Sequence, residues 1–326
     1  MRRAVGVDIG GTKVLGVVLD TDAPEKGPLA EARRPTPRGA GALVATIVGV
    51  VADLFEQVGA DEVAVVGVGL PGLIDRDGVL RFGPNLPGIV DLDVEHALAE
   101  VLDLPVVVDN DANCAAWAER CLGAAGGCDH ALLVTLGTGI GAGLIADGRP
   151  FNGAHGMAGE PGHMIVDPGG PRCPCGRRGC WERYASGSGL GFLAREAALA
   201  GRADQVLARA GGDAEAVRGE HVTAAARESD PEAAAVMDAF GWWIAVGVAN
   251  LVNILDPEVV VLGGGLVTEA DLFLPAARTA FAELVLAGAH RPEVPIVAAR
   301  TGERAGALGA ALLAVERGWG PGEATR

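Results

Sequence analysis

The sequence predicts an α/β protein whose chain is internally duplicated. Two segments repeat one pattern, an apolar strand, a turn of glycine and threonine and a second apolar strand ending in aspartate; they read VGVDIGGTKVLGVVLD from residue 5 and LVTLGTGIGAGLIAD at 133–147. Between them, apolar runs alternate with helical stretches, as expected for helices on the faces of a sheet. A chain of 326 residues is long enough for about two domains.

Local patterns predict the individual elements. Each repeated segment is predicted as two strands joined by a tight hairpin. Short apolar runs predict further strands at 63–69, 106–108 and 258–266. Apolar residues at helical spacing predict helices at 40–58, 93–102, 186–211, 221–227, 231–254 and 303–317. The last of these is nearly all alanine, leucine and glycine, which favours close packing against a neighbour.

The overall composition is that of a globular protein, with 49% hydrophobic and 21% charged residues. The net charge of -16 argues against a surface that binds nucleic acid, since such a surface is cationic. No segment approaches the roughly 20 uninterrupted apolar residues of a membrane span. The apolar run at the amino terminus is too short for a secretory signal. We therefore expect a soluble, cytoplasmic protein with neither a nucleic-acid nor a membrane partner.

The cysteines fall into two groups, and reduced thiols are expected for both in the cytoplasm. Cys114, Cys121 and Cys128 are spaced by seven in an alanine-rich stretch, and we predict that they are small buried residues. The other group follows a histidine by ten residues as C-x-C-x4-C. Short loops with proline and glycine between soft ligands predict a closed, tetrahedral, structural zinc site formed by His163, Cys173, Cys175 and Cys180.

The two glycine-rich turns are candidates for phosphate binding, because their backbone N–H groups are not obstructed by side chains. Either turn alone is equally compatible with an ordinary hairpin, and neither matches a P-loop or a dinucleotide fingerprint. Together with a third glycine cluster they predict a nucleotide-binding cleft. The predicted nucleotide ligands are Asp8, Gly10, Gly11, Thr12, Lys13, Gly137, Thr138, Gly139, Gly263 and Gly264.

A polar segment follows the predicted strand at 106–108 and contains Asp109, Asn110 and Asp111. Such residues at a strand end cap a following helix well, so Asp109 or Asp111 is a candidate N-cap. Alternatively, one carboxylate faces the cleft as a general base that accepts the proton of a substrate hydroxyl.

Four motifs in this order resemble the sugar kinases of the ROK family (repressors, open reading frames and kinases): VDIGGTK, NDAN at 110–113, GEPGH at 159–163 and CPCGRRGCWE at 173–182. The resemblance covers almost the whole chain and is greatest to glucokinases of the actinobacterial type. It implies the duplicated two-domain fold of the actin-like ATPases (ribonuclease H-like), with a cleft between the domains. The implied domains are a small one at 1–113, on which the helix at 303–317 packs back, a large one at 114–302 that contains the zinc loop 163–180, and a loose tail at 318–326.

The resemblance also implies the chemistry, which is transfer of the γ-phosphoryl group of ATP to the 6-hydroxyl of glucose, a step of glycolysis. Asp111 is the implied base, and Asp8 holds Mg²⁺ through water, since Mg²⁺ keeps much of its hydration. One nitrogen of the His163 ring is expected to bind zinc and the other to face the sugar. The implied sugar ligands are Asn85, Asn110, Asp111, Glu160, His163 and Glu182.

This chain departs from the family pattern at Pro161, which replaces a bulkier apolar residue and is expected to bias Glu160 toward an extended backbone. Fructose, mannose and N-acetylmannosamine remain alternative substrates, and polyphosphate an alternative donor. A sugar-responsive repressor on the same fold is disfavoured, because the first motif begins at Asp8 and leaves no room for a preceding helix-turn-helix domain. The family implies a homodimer or homotetramer.

Overall fold

The computed structural model describes residues 3–318 except Pro84, Asn85 and Pro87. Asn85, a predicted sugar ligand, and the predicted tail from 319 onward therefore lie outside the described residues. The strands are β1 (Arg3–Ile9), β2 (Lys13–Asp20), β3 (Ala30–Pro35), β4 (Val63–Leu70), β5 (Leu73–Ile74), β6 (Val79–Phe82), β7 (Val90–Asp93), β8 (Val106–Asn110), β9 (Ala131–Leu136), β10 (Ile140–Ala146), β11 (Arg149–Pro150), β12 (Val259–Gly263) and β13 (Ile296–Ala298). The helices are α1 (Ala40–Val58), α2 (Val94–Leu102), α3 (Asp111–Leu122), α4 (Glu182–Ala185), α5 (Gly187–Leu199), α6 (Asp204–Arg209), α7 (Gly219–Arg227), α8 (Pro231–Leu255), α9 (Ala270–Leu284) and α10 (Ala305–Gly318).

The two five-stranded sheets have equivalent topologies, with orders β3-β2-β1-β4-β8 and β11-β10-β9-β12-β13. In the first sheet, β1 pairs antiparallel with β2 and parallel with β4, which pairs parallel with β8. In the second sheet, β10 pairs antiparallel with β11 and β12 parallel with β13. A small third sheet has the order β5-β6-β7. The predicted α/β class and the predicted duplication are confirmed.

Two predicted elements end earlier than the apolar pattern suggests. The helix predicted at 186–211 is divided into α5 and α6, since Gly201 between them adopts a φ of +66° that no helix accommodates. The strand predicted at 258–266 ends at Gly263, because Gly264 has a φ of +83°. In both cases a single glycine backbone overrides the continuing apolar composition.

Both faces of the first sheet are covered by helices. On one face, Val5 and Val7 of β1 are buried in a cluster that includes Leu43, Ile47 and Leu54 of α1. On the other face, the cluster that includes Ala4 and Leu15 also contains Ala307, Ala311 and Ala314 of α10. Alternate residues of a strand point to opposite faces, so β1 contributes to both layers.

Helix α10 approaches its neighbours at backbone contact, as its low bulk predicts. A Cβ atom at Gly6 of β1 would overlap the carbonyl oxygen of Ala307, and one at Gly67 of β4 would overlap that of Ala310. A Cβ atom at Gly309 would overlap the carbonyl oxygen of Cys114 in α3. A glycine on one side of each contact therefore sets the distance between α10, the sheet and α3.

The residue contacts divide the chain into two compact units. One consists of Met1–Leu133, Gly143–Gly159 and Ala299–Arg326, and the other of Val134–Ala142 and Glu160–Ala298. The domain division at residue 113 stays a prediction, because compactness by contacts does not define the parts that fold or move together.

Helices α1 and α8 are long and apolar enough, by length and composition alone, to cross a membrane. This weakens the prediction from sequence that no segment reaches that composition. Buried helices in the cores of water-soluble proteins pass the same test, and most of the apolar stretch of α8 is buried within this protein. These two helices are therefore weak evidence for a membrane partner.

The prediction that three cysteines are buried is confirmed only for Cys114. Cys114 is buried, but Cys121 is exposed, and Cys128 is half-buried. The spacing of seven would place the three on one helix face, but α3 ends at Leu122. Cys121 therefore lies in a terminal turn, and Cys128 lies beyond the helix.

We expect Gly309→Ala to lower the stability of the fold substantially. Its methyl group would occupy the position of the Cys114 carbonyl oxygen, and overpacking of this kind costs about 1–3 kcal/mol or more. Urea unfolding followed by circular dichroism measures the change. Gly41→Ala in α1, where a Cβ atom would meet nothing within 4 Å, is the matched control and should leave the midpoint unchanged or slightly raised. Equal midpoints for the two variants would contradict the packing described for α10.

Candidate functional site

The junction of β8 and α3 contains the predicted base. Asn110 is the N-cap of α3: its Oδ1 accepts the backbone N–H groups two and three residues further on, at 2.9 and 3.2 Å, and its Nδ2 donates to the carbonyl of Gly72 at 3.0 Å. The prediction that Asp109 or Asp111 caps this helix is therefore wrong. Asn110 fixes the start of the helix, and Asp111 follows as its first residue.

Asp111 is half-buried, and its Oδ1 accepts the N–H of Ala112 at 2.9 Å. Burial raises the pKa of Asp111 to about 6, which the backbone N–H groups only partly offset. The carboxylate is therefore ionised above about pH 6, in the form that a general base needs, and its proton affinity is higher than that of an exposed aspartate.

Asp8 is a second half-buried carboxylate in the same unit, next to last in β1. Burial and the charge of Asp111 raise the pKa of Asp8 to about 7, and Lys13 partly offsets this. Glycines make room for the side chain: a Cβ atom at Gly69 would lie 3.6 Å, and one at Gly306 only 2.5 Å, from an oxygen of Asp8. Two carboxylates whose charges repel each other in this way form a site that a divalent cation fits.

Asp109 carries a buried negative charge beside this pair, with only 3% of the residue exposed. It accepts the Asn110 backbone N–H at 2.7 Å, the Asn113 amide at 2.8 Å and the Asn152 amide at 2.8 Å. It also pairs with the guanidinium of Arg317 at 2.6 Å. The sequence gives no signal for Asn152 or Arg317 here, because both are remote from Asp109 along the chain.

The first glycine-rich turn connects β1 and β2. The N–H of Gly10 donates to the carbonyl of Lys13 at 2.9 Å, while Gly11 and Thr12 are exposed. The hydroxyl of Thr36, after β3, donates to the carbonyl of Gly10 at 2.6 Å and braces the turn. Unobstructed amides are thus present, as predicted.

Lys13 itself is engaged in an ion pair that the sequence did not predict. Its Nζ lies 2.6 Å from a carboxylate oxygen of Glu303, whose other oxygen pairs with Arg33 at 2.6 Å. The side chains of Lys13, Glu303 and Arg33 are all largely exposed, and exposed pairs contribute little stability. Lys13 is therefore able to exchange Glu303 for another anion at small cost.

The second glycine-rich turn, in the other unit, is fixed to the segment that follows the cysteines. The N–H of Gly187 donates to the carbonyl of Gly137 at 2.8 Å, and the hydroxyl of Ser188 to the carbonyl of Thr138 at 3.1 Å. Glu182 accepts the backbone N–H of Ile140 at 2.9 Å. A Cβ atom at Gly139 would overlap this carboxylate, so the turn needs glycine there because Glu182 lies against it.

A cavity of about 750 Å³ opens beside this turn. Of the predicted ATP ligands, Gly137 and Thr138 line it. In the third glycine cluster, Gly265 lines the cavity, whereas Gly263 is buried at the end of β12. The sequence reasoning missed the other lining residues, which are Arg183, Gly187, Ser188, Gly191, Arg195, Arg218, Gly219, Glu220, Thr223, Leu266 and Glu269.

Glu160 and His163 lie at the two ends of a short 3-10 turn that begins at Pro161. Glu160 is exposed and His163 half-buried, and the Nε2 of His163 lies 3.9 Å from an oxygen of Glu160. The expectation that Pro161 holds Glu160 extended is wrong: Glu160 has φ -105° and ψ 49° because its carbonyl accepts the N–H of His163, which closes the turn.

The Cys₃His cluster (His163, Cys173, Cys175 and Cys180) has the arrangement of a metal site. The four ligand atoms all lie within 4.8 Å of one another. The Nδ1 of His163 is 3.9 Å from the sulfur of Cys173, and the sulfurs of Cys175 and Cys180 are 3.5 Å apart. A tetrahedron with Zn–S bonds of about 2.3 Å has edges of about 3.8 Å. Donor types and spacing both fit zinc, and Nδ1 is the nitrogen that faces the cluster.

Trp181, directly after the cluster, attaches it to the core. Trp181 is fully buried, and its indole N–H donates to the carbonyl of Trp243 in α8 at 2.7 Å. A Cβ atom at Gly247 of α8 would overlap its ring. Tyr184 stacks on the ring of Trp243 at 3.9 Å between centroids. The segment from Cys180 to Tyr184, which includes Glu182, is therefore held rigidly.

Comparison with known proteins places this chain among sugar kinases in both sequence and structure. A profile described as the ROK family matches residues 4–317. Over 320 residues the chain is 38% identical to a glucokinase from Streptomyces coelicolor, with 97% of this chain and 98% of the relative covered.

Solved structures give the same result. The chain superposes with a TM-score of 0.83 and 36% identity on a ROK family glucokinase from Streptomyces griseus in complex with glucose and AMPPNP, covering 96% of this chain and 99% of that one. It superposes with a TM-score of 0.80 and 35% identity on a ROK hexokinase from Thermus thermophilus, covering 96% and 98%. The protein belongs to the ROK family and has its actin-like fold.

Proposed function

We propose that this protein is an ATP-dependent glucokinase that transfers the γ-phosphoryl group of ATP to the 6-hydroxyl of glucose. The observation that carries the proposal is the pair of half-buried carboxylates, Asp8 and Asp111, beside a glycine-rich turn. Phosphoryl transfer to a hydroxyl needs one base and one site for a divalent cation near the phosphates. The likeness to glucokinases supports glucose as the acceptor.

In this mechanism Asp111 accepts the proton of the 6-hydroxyl while the sugar oxygen forms its bond to the γ-phosphorus. The bond from that phosphorus to the bridging oxygen breaks, and ADP leaves with the electron pair. The burial that raises the pKa of Asp111 to about 6 makes it a stronger proton acceptor than an exposed aspartate near neutral pH. Asn110 positions this carboxylate by fixing the start of α3.

We assign the phosphates to the two turns, formed by Gly10, Gly11, Thr12 and Lys13 and by Gly137, Thr138 and Gly139, with Gly263 and Gly264 in the third cluster. The N–H groups of Gly10 and Gly137 close the turns on the carbonyls of Lys13 and Gly139, so the other amides of the turns would face the phosphates. Lys13 would exchange its exposed partner Glu303 for a phosphate. Asp8 would hold Mg²⁺ through water, since a cation relieves the repulsion that raises its pKa. When bound with ATP, Mg²⁺ neutralises the charge that develops on the phosphates.

For the sugar, we assign Asn110, Asp111, Glu160, His163 and Glu182, and Asn85 by resemblance alone. Glu160 and the Nε2 of His163 are 3.9 Å apart and so able to bind adjacent hydroxyls. Glu182 also accepts the Ile140 N–H, and it therefore links a sugar contact to the second phosphate-binding turn.

We further propose that the Cys₃His cluster binds structural zinc. Four protein ligands leave no position open for a reacting water. The metal would fix the ring of His163 through Nδ1 and leave Nε2 directed toward Glu160. Its function would be to hold the sugar-binding side chains still. The arginines around it, Arg172, Arg177 and Arg178, are exposed and partly offset the thiolate charge.

We place the protein in the cytoplasm as a soluble homodimer or homotetramer acting in glycolysis. The acidic net charge of -16 supports the absence of nucleic-acid partners.

A coupled assay of ADP release with ATP and Mg²⁺ over glucose, mannose, fructose and N-acetylmannosamine tests the activity. We expect kcat/KM to be at least about tenfold higher for glucose, and Asp111→Asn to lower kcat by about 10²–10⁴-fold with little change in KM for glucose. Asp61→Asn, at an exposed aspartate, is the control for the same change of charge. Equal rates across the panel would contradict glucose as the preferred substrate. Normal turnover by Asp111→Asn would show that Asp111 is not the general base.

We expect Asp111→Asn to be more stable than the wild type above pH 6, measured without metal or nucleotide. The folded pKa of about 6 lies above the usual 3.8, so stability falls as pH rises between these values and the cost, up to about 3 kcal/mol, is complete above pH 6. Urea unfolding at pH 5 and pH 8 measures the difference between variant and wild type. A difference that is the same at both pH values would contradict this account of Asp111.

Removing zinc should weaken glucose binding before nucleotide binding. We expect Cys175→Ser to lose stoichiometric zinc, measured by plasma emission, and to raise the Kd for glucose about 10–100-fold with the Kd for ADP nearly unchanged. Cys121→Ser removes an exposed thiol outside the cluster and should behave as the wild type. Normal glucose affinity in a zinc-free preparation would refute this function of the metal.

A further inference from the structure

Arg183 is a charged residue in the second unit. The proposed mechanism gives it no function. It follows Glu182 in α4 and lines the same cavity as Gly137 and Thr138 of the second glycine-rich turn. We propose that Arg183 is a ligand for the phosphate groups of the donor nucleotide. This rests on the proposed function, because it takes the cavity to be the nucleotide site.

The strongest observation is that the guanidinium of Arg183 has no partner among the residues that the structure describes. Four arginines have a buried Nε without an acceptor: Arg3, Arg120, Arg183 and Arg291. The other three satisfy their terminal nitrogens, with Glu62, Asp129 and Asp256 respectively. Among the residues that the structure describes, the Arg183 side chain makes neither a hydrogen bond nor an ion pair, and only its backbone N–H is bonded, to the carbonyl of Cys180.

A half-buried guanidinium without an acceptor is costly, because it has lost part of its hydration and gained no counter-charge. A ligand that supplies anionic oxygens removes this cost, and the planar fork of arginine matches phosphate geometry particularly well. A half-buried guanidinium of this kind is therefore well suited to bind a phosphate group of the nucleotide.

Four other charged residues line the cavity, and two of them, Arg218 and Glu220, are exposed and so keep more of their hydration than the half-buried Arg183. Arg195 donates to the carbonyl of Val217 at 2.9 Å. The carboxylate of Glu269 accepts from Arg227. Arg195 and Glu269 are therefore already hydrogen-bonded. Among the described residues, Arg183 has no carboxylate partner that would compete with an incoming anion.

The position of Arg183 is fixed by its neighbours along the chain. Glu182 is bonded to Ile140, and Gly187 to Gly137, at the two ends of the turn. Arg183 lies between these two attachments, within the rigid segment that ends at Tyr184. It is therefore held beside the amides that we assign to the phosphates.

A series of nucleosides and nucleotides tests the assignment by calorimetric Kd values for adenosine, AMP, ADP and ATP. We expect Arg183→Met to leave adenosine binding unchanged and to weaken binding progressively with phosphate number, by about tenfold or more for ATP. Arg183→Lys should restore part of the loss, since it returns the charge without the planar fork. Arg202→Met removes the same charge at an exposed position outside the cavity and should match the wild type.

Two results would overturn the assignment. One is an Arg183→Met variant that binds the whole series as the wild type does. The other is a variant that weakens adenosine as much as ATP, which would indicate stacking on the base. Zinc content and the urea midpoint of each variant show that it is folded. The proposed function fails separately, if the wild type transfers no phosphate from ATP to a hexose, and the binding series still decides the function of Arg183 in that case.

Discussion

The close approach of α10 to the first sheet is the constraint on which the environment of the two half-buried carboxylates, Asp8 and Asp111, depends. Gly6 and Gly67 allow backbone contact between this helix and the two central strands, and Gly309 allows it between the helix and α3. The same approach brings Gly306 against Asp8. Asp8 consequently loses water and lies close enough to Asp111 for their charges to repel. The raised pKa of Asp8 is therefore in part a consequence of packing between small residues.

In the other unit, a single rigid segment contains residues that we assign to the metal, the sugar and the phosphates. The Cys₃His cluster ends at Cys180, and Trp181 then anchors the chain to α8 through its indole N–H. Glu182 follows and is bonded to the second glycine-rich turn, and Arg183 lines the cavity beside that turn. The metal, sugar and phosphate contacts that we propose thus fall within a few residues of one another. Motion of this segment would disturb all three, and this is the physical reason that we propose for a structural metal here.

Patterns local in sequence predicted most of the fold and much of the candidate site. Residues close together in the chain determine the hairpins, the helices and the Cys₃His cluster. Their spacing in the sequence was therefore enough to predict these features. Pairs that are distant along the chain left no such signal: Asp109 with Arg317, and Lys13 with Glu303. The N-cap was assigned to the wrong residue because Asn110 is as good a cap as either aspartate beside it, and only the backbone geometry distinguishes them.

The most direct test of this account is a crystal structure of the protein with glucose and a non-hydrolysable ATP analogue. The decisive measurement is the distance from the Asp111 carboxylate to the 6-hydroxyl of the sugar. A general base at this position requires about 2.6–3.2 Å, and the account predicts that value with Asp111 as the carboxylate. A different acidic group at the 6-hydroxyl, or a sugar bound away from Asp111, would contradict it.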